Sequence, residues 1–267
     1  MDESLMMEKI FEIHSGLERE APGSERSTRL ALSMIQEAVL ASGSGEGPAV
    51  LDIGCGPGPQ TLVLADALSS GGKPAPRITA VDLHAPYLER LEAGARERGF
   101  EDRIETVACR MEELPFEHGS FDLIWSEGAV YIIGFEEGLT LWSRFLKPRG
   151  YLAVSEISWL RPIEEIPEAP RSFWTNAYPS MATVPENIRR AEKTGFSLIG
   201  AYTLPESDWL DSYYGPLEKR LGELQDRHAD DRDMREVIEG ELEEIELYRD
   251  YGAYYGYVFY VFRLDRQ

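Results

Sequence analysis

Basic side chains are scarce in this chain. Against 48 acidic residues stand 27 lysines and arginines, a formal net charge of −21, and no lysine or arginine run interrupts the pattern. Nucleic-acid binding needs a basic footprint, so a polyanion is not the expected partner. The acidity itself reads as a solubility or habitat signature. Cysteine is scarcer still: Cys55 and Cys109 lie far apart and make no metal-type spacing, and the four histidines sit in no ligand motif. No metal is expected, and the two thiols read as free groups in a reducing compartment. Long apolar runs are missing too; none approaches the ~20 residues of a membrane span. The N-terminal MDESLMMEKIFEIH carries acids where a signal peptide carries basic residues. A cytoplasmic protein without membrane contact, acting as a monomer or homodimer, is the expectation.

What is present is concentrated between Ala49 and Ala65, AVLDIGCGPGPQTLVLA. Ala49 to Ile53 is a short apolar run of the kind that forms a buried parallel strand. Gly54, Gly56 and Gly58 follow at alternate positions, and from Thr61 the apolar residues take helical spacing. The glycines therefore belong to a strand-to-helix turn, where they tolerate positive φ and let a ligand approach the backbone. The helix behind such a turn offers unpaired N–H groups. A dinucleotide fingerprint needs Gly-x-Gly-x-x-Gly or Ala. Counted from Gly54 its last position is Pro59, and counted from Gly56 it is Thr61.

Asp52, Gly54, Gly56 and Gly58 instead spell Asp-x-Gly-x-Gly-x-Gly, which resembles motif I of the class I S-adenosylmethionine (SAM)-dependent methyltransferases. Further family-like features follow. RITAVD (77–82) is a second strand ending in Asp82, where the family places an acid on the ribose hydroxyls. FDLIWS (121–126) has the family's acid in second place, and a helix, Lys147-Pro148-Arg149-Gly150 and another strand follow. The resemblance covers residues 49 to 157. It implies a Rossmann-like α/β fold with a mostly parallel seven-stranded sheet and helices on both faces. The implied cofactor is SAM, leaving as S-adenosylhomocysteine (SAH), and the implied activity is methyl transfer to a small-molecule acceptor. TLPESDWLDSYYGPLEKR and YYGYVFYV resemble an uncharacterised bacterial and archaeal subgroup of small-molecule methyltransferases.

The resemblance carries cofactor contacts onto Asp52, Gly54, Cys55, Gly56, Gly58, Gln60 and Thr61, then Asp82 and Leu83, then Ser126 and Glu127. Many relatives place Asp at the position of Arg110 to accept from the adenine amino group. Here that acid is missing, so Arg110, Met111 and Glu112 become the adenine-side candidates, with the Met111 side chain against the ring and Glu112 the nearest carboxylate.

Ligands on an open α/β sheet bind beyond the carboxyl ends of the strands, which brings Glu127 and Tyr131 to the mouth of the site. Glu127 is the candidate to orient an amine or take a proton, against the alternative of a loop carboxylate capping the next helix. Trp159, Trp174, Tyr178 and Tyr255 are candidate acceptor contacts, against the alternative of core aromatics. His14 is expected at the surface unless the N-terminal helix folds over the site.

Along the chain, residues 1–48 form an N-terminal helical segment and possible lid, with Ser24 as the N-cap of a helix carrying Leu30, Met34 and Val39. Residues 49–267 form the SAM-binding domain. Residues 160–181 read as loop-rich, and a helical insertion over 205–252 precedes the last strand. Between Ser207 and Tyr251 fifteen acids face six bases, a pattern read as a solvated helix surface. Two rival functions stay open: an NAD(P)-dependent oxidoreductase and a non-catalytic SAM-binding sensor or partner protein.

Overall fold

Val50, Leu51 and Ile53 are completely buried, as a strand covered on both faces requires. They belong to β1 (Ala49–Ile53), the centre of one sheet with β2 (Arg77–Asp82), β3 (Ile104–Ala108), β4 (Phe121–Glu127), β5 (Leu146–Trp159), β6 (Ala182–Thr183), β7 (Phe196–Thr203) and β8 (Tyr255–Leu264). The structure, a computed structural model, describes residues 3–43, 45–69 and 74–265. Seven strands run in the order β3-β2-β1-β4-β5-β8-β7, and the two-residue β6 adds to the end of β5. The first five strands are parallel, and β8 enters antiparallel between β5 and β7. The mixed α/β architecture is that expected from the sequence, with the short β6 an eighth strand beyond the expected seven.

Helices α1 (Glu3–His14), α2 (Glu25–Ser33) and α3 (Gln36–Ser42) precede the sheet. The Ser24 hydroxyl caps α2 by accepting from the Ser27 N–H at 3.2 Å. The single helix expected here is divided: Met34 and Ile35 bond back three residues, to Ala31 and Leu32, and Ile35 leaves helical geometry. Crossovers α4 (Pro59–Ala67), α5 (Ala85–Arg98) and α6 (Phe135–Ser143) connect the parallel strands. Apolar side chains form a core on each face of the sheet.

The run 160–181 is not loop throughout, because α7 (Glu168–Ala177) lies inside it. Its prolines punctuate rather than prevent the helix. Pro167 precedes it, and Pro170 sits in the first turn, where a missing N–H costs no hydrogen bond. Helix α8 (Val184–Lys193) then leads to β7. Between β7 and β8 come α9 (Glu206–Trp209), a π-helical turn (Leu210–Tyr214), α10 (Gly215–Arg227) and α11 (Arg232–Tyr251).

This insertion and the N-terminal segment hold one another. Lys9 Nζ pairs with Asp231 Oδ2 at 2.7 Å, Arg220 donates to the Glu12 carbonyl at 3.1 Å, and Ser27 Oγ donates to Asp208 Oδ2 at 2.5 Å. Together they roof the carboxyl ends of the central strands. Among the described residues no helix is long and apolar enough to cross a membrane.

Candidate functional site

After Ile53 the chain turns through Gly54, Gly56 and Gly58 at φ of +68°, +54° and +80°, angles that glycine adopts without the Cβ penalty. At Gly54 a Cβ would also lie 2.5 Å from that of Ala129, and at Gly58 one would lie 2.3 Å from Leu91 Cδ1. The turn is braced from behind. Thr61 Oγ1 donates to Asp52 Oδ2 at 2.6 Å, and Gln60 Nε2 donates to the Cys55 carbonyl at 2.8 Å. Asp52, Cys55, Gln60 and Thr61 are all buried. The motif puts them among the cofactor contacts; in this structure their side chains brace the turn, and Asp52 keeps a buried Oδ1 without a partner. Burial pushes Asp52 up to about 7 against the pull of the Thr61 bond.

The turn's backbone donors are spent as well. Gly54 and Cys55 donate to the Val81 carbonyl at 2.9 Å each, Gly58 to the Cys55 carbonyl at 3.0 Å, and Gly56 to Asp82 Oδ2 at 2.9 Å. Pro57 and Pro59 have no N–H to give. The sequence pattern suggests free donors here, but the chain closes on itself and Asp82 takes one of them. A phosphate-cradling turn works by aiming free N–H groups at an anion; here the N–H groups of residues 54–58 are committed elsewhere.

Carboxylates face the turn instead. Asp82 Oδ1 accepts from the His84 N–H at 2.8 Å; each of its oxygens keeps a lone pair for a ligand hydroxyl. Glu20, from the segment joining α1 to α2, lays its Cγ 3.2 Å from where a Gly56 Cβ would stand. Its Oε2 accepts from Tyr87 at 2.6 Å and pairs with His14 Nδ1 at 3.0 Å, while its buried Oε1 has no partner. Burial first, and then the charge of Glu20, raise Asp82 against the two backbone bonds. His14 is 8% exposed, not a surface residue. Burial opposes its charge, but the Glu20 bond and the charges of Glu20, Glu241 and Glu244 outweigh burial and raise its pKa. Phe11 stacks on His84 with centroids 3.9 Å apart, so α1 lies against the exit of β2. An anionic pyrophosphate meets carboxylates here; a sulfonium nucleoside, bearing positive charge and a ribose diol, meets complementary groups. The residues fit SAM.

On the adenine side, Leu83 is 56% exposed beside Asp82. Met111 brings its Cε within 3.7 Å of a Gly54 Cβ position, and its carbonyl accepts from Trp142 Nε1 at 3.1 Å. Arg110 and Glu112 pair with each other at the surface at 3.1 Å. Ser126 is buried with its hydroxyl unpartnered.

Glu127 is fully engaged. Its Oε1 accepts from Thr28 Oγ1 at 2.7 Å and Trp125 Nε1 at 2.9 Å, and its Oε2 pairs with Arg19 at 3.1 Å. The expected proton acceptor is, in this structure, the clasp that ties the end of β4 to the N-terminal segment.

Next to the turn, the roof covers a tyrosine-rich cluster, the tyrosine chamber. Tyr131 has its ring 42% exposed, 6.0 Å edge-on from Tyr178. Burial pushes its hydroxyl up to about 12, with Glu244, Glu241 and Glu156 adding repulsion. Tyr257 reaches within 3.9 Å of a Gly128 Cβ position, linking the chamber to the end of β4. Trp174 and Tyr255 lie 5.3 Å apart and Trp159 and Tyr255 6.2 Å, and with Tyr178 all of them are buried in the hydrophobic core, as the core-aromatic alternative expects. The buried hydroxyls of Tyr178 and Tyr255 face Glu156 and Trp174 respectively, without reaching full hydrogen-bond geometry.

Several groups here carry no motif that marks them. The charge pattern places Glu241 and Glu244 among solvated acids, yet burial raises Glu241 and lifts Glu244 to about 7. One signal does exist: Met234, Ile238, Ile245 and Tyr248 form the buried stripe of α11, and Glu241 falls within it at the same spacing. Arg19 and Glu20 belong to no motif, Tyr213, Tyr214 and Tyr257 have no role marked within the subgroup-like stretches that hold them, and all five come together only through the fold. A separate cavity of about 760 Å³ opens between the N-terminal segment and α10. It lies beside α4 rather than over the turn, and its charges balance (Arg19, Arg98, Lys219 and Arg220 against Glu18, Glu25, Asp211 and Glu223). The turn and chamber are therefore the better candidate site.

Residues 50–150 match the model of a methyltransferase domain. A ribosomal protein arginine N-methyltransferase, rmt3, of Schizosaccharomyces pombe is 32% identical over 139 residues, 49% of this chain and 24% of that protein. The ubiquinone/menaquinone biosynthesis C-methyltransferase UbiE of Pseudoalteromonas translucida is 28% identical over 179 residues, 66% of this chain and 68% of its own length. The chain spans only about a quarter to two-fifths of the first curated relatives it matches. A SAM-dependent methyltransferase from Geobacter sulfurreducens, solved with S-adenosylhomocysteine, superposes with a TM-score of 0.74 at 18% identity, covering 96% of this chain and 98% of that one.

Proposed function

We propose that this chain, whose residues 50–150 match the model of a methyltransferase domain, transfers a methyl group from SAM to a small-molecule acceptor held in the tyrosine chamber. The observation that carries the reading is the closed glycine turn: its backbone donors are spent internally, and Asp82 and Glu20 stand over it. When bound, SAM supplies a methyl group already activated by its sulfonium charge. The chain's part is then alignment and exclusion of water, with a proton acceptor only where the acceptor requires one.

In this reading Asp82 takes the ribose hydroxyls. Gly54 and Met111 wall the adenine side with Leu83. Glu20 faces the cofactor's ammonium group. Glu127 fastens the N-terminal segment, residues 1–48, as a lid, and the insertion at 205–252 completes the roof. Tyr131, Trp159, Trp174, Tyr178 and Tyr255 shape the acceptor side. The roof is built within one chain, which supports a site complete without a second copy. The charge of −21 supports an acceptor other than nucleic acid and a cytoplasmic setting.

The test is transfer of label from methyl-labelled SAM into the dialysable metabolites of a cell extract, with the wild-type protein and Asp82→Ala. Label in the dialysable fraction, lost in Asp82→Ala, is the expected result. Label confined to macromolecules, or no transfer, contradicts the proposal.

A further inference from the structure

The chamber gathers acids from distant parts of the chain. Glu241 and Glu244 project from one face of α11, with Glu244 Oε1 accepting from Tyr214 at 2.8 Å. Both are half-buried, and the charge facing them is that of His14 on α1, whose ring lies 6.1 Å from Tyr213. Glu156, from β5, is 1% exposed, and its Oε2 has no hydrogen-bond partner. It lies beside Tyr178, whose buried hydroxyl faces it and is raised by burial and by the Glu156 charge.

The acids share neighbours. Tyr131 and Tyr257 each feel the charges of both Glu156 and Glu244, and Tyr213 feels Glu241, Glu244, Tyr131 and Tyr257. Among the described residues the cation facing Glu241 and Glu244 most directly is His14 on α1, and its Nδ1 is committed to Glu20. Arg190 acts weakly on Glu156 from α8. One buried and two half-buried acids with so little compensating charge are costly when ionised together. Burial raises all three, Glu156 to about 8 and Glu244 to about 7. Tyrosine faces and carboxylates around one space are the chemistry that recognises an organic cation. The same charges repel carboxylates and phosphates.

Resting on the methyl-transfer reading above, we infer that the acceptor is an ammonium-bearing amine, held among Tyr131, Tyr213 and Tyr257 with its charge met by Glu241 and Glu244. The Glu244 carboxylate takes one proton from the ammonium nitrogen, leaving on it the lone pair that a methyl acceptor needs. Glu156, on the far side, keeps its proton or gives it up according to the charge the ligand brings.

The experiment is calorimetric titration of the full chain, saturated with SAH, using three probes of one size: benzylamine, benzyl alcohol and benzoate. Each is run in buffers of different ionisation enthalpy, on the wild type and on Glu244→Gln. Saturation with SAH, measured first, reports separately on the methyltransferase reading. The inference expects benzylamine to bind at least tenfold tighter than the alcohol, and benzoate weakest. It expects net proton release with benzylamine only, and loss of most of that preference in Glu244→Gln. Hydrogen–deuterium exchange on Glu244→Gln checks that α11 is intact. Equal binding of the three probes, no binding of any, or a preference for benzoate overturns the inference even where SAH binds.

Discussion

The two halves of the site are built in opposite ways. At the proposed cofactor end, the polar groups of Asp52 to Thr61 named above are met within ten positions of the chain and by Val81 and Asp82, the buried Asp52 Oδ1 excepted. At the acceptor end, the polar groups come from α1, β5, the loop after α7, the π-helical turn, α11 and β8, and several remain unpartnered. A site half that is complete by itself presents a fixed shape to any ligand. A half left electrostatically incomplete states what ligand would complete it. The first is the form expected of a shared cofactor site, the second of an acceptor site peculiar to this chain.

The largest effect should come from breaking the self-contained half. Gly54→Val puts a branched side chain at φ +68° and against Ala129. The strain and overpacking should cost about 2–6 kcal/mol of stability, read from urea unfolding, and abolish the stabilisation that SAH gives the wild type. A stable Gly54→Val protein that still binds SAH would show that the turn is not the cofactor's seat.

A smaller effect is expected where the halves are joined. Glu127→Gln leaves an acceptor for Thr28 and Trp125 but removes the charge opposite Arg19, both partners being buried. Breaking such a pair costs about 3–5 kcal/mol when the remaining charge finds no other partner, and less here if Arg19 reaches water. Hydrogen exchange should rise over residues 19–28 more than over the sheet, and SAH should dissociate faster. Uniform exchange across the chain would assign Glu127 to the fold as a whole rather than to the lid.

The smallest effect is a matter of pH. Glu244 has its ordinary value of 4.5 raised to about 7 in the fold. The folded state therefore binds more protons between these values, and stability falls as pH rises from about 4.5 through about 7. The loss is complete above the folded pKa. Glu244→Gln should flatten that part of the stability–pH curve and gain most, relative to wild type, at alkaline pH. A curve of unchanged slope would place Glu244 in ordinary solvent.

The same contrast governs how much of the molecule is legible in its sequence. Apolar runs ending in Asp52 and Asp82, with glycines at alternate positions, are local signals, and the strand order and the turn follow from them. The roles within the turn are less legible. Gln60 and Thr61 stand where ligand contacts are expected, and only three-dimensional hydrogen bonding shows them bracing the loop. Glu127 occupies the expected place with a different task, because its partners Arg19 and Thr28 lie about a hundred residues away. The chamber is least legible, since Glu156, Tyr213, Glu244 and Tyr257 share no spacing. One clue is local: an acid at position 241 in the apolar stripe of α11.

The central claim is that the glycine turn with Asp82 receives a sulfonium nucleoside and not a dinucleotide. Calorimetric titration of the wild type and Asp82→Ala with SAH and with NAD tests it directly. Two charge-assisted hydrogen bonds are worth roughly 1.5–3 kcal/mol each, so SAH should bind the wild type and lose on the order of a hundredfold or more in Asp82→Ala, with no heat from NAD in either protein. Binding of NAD, or SAH affinity unchanged by Asp82→Ala, would contradict the account.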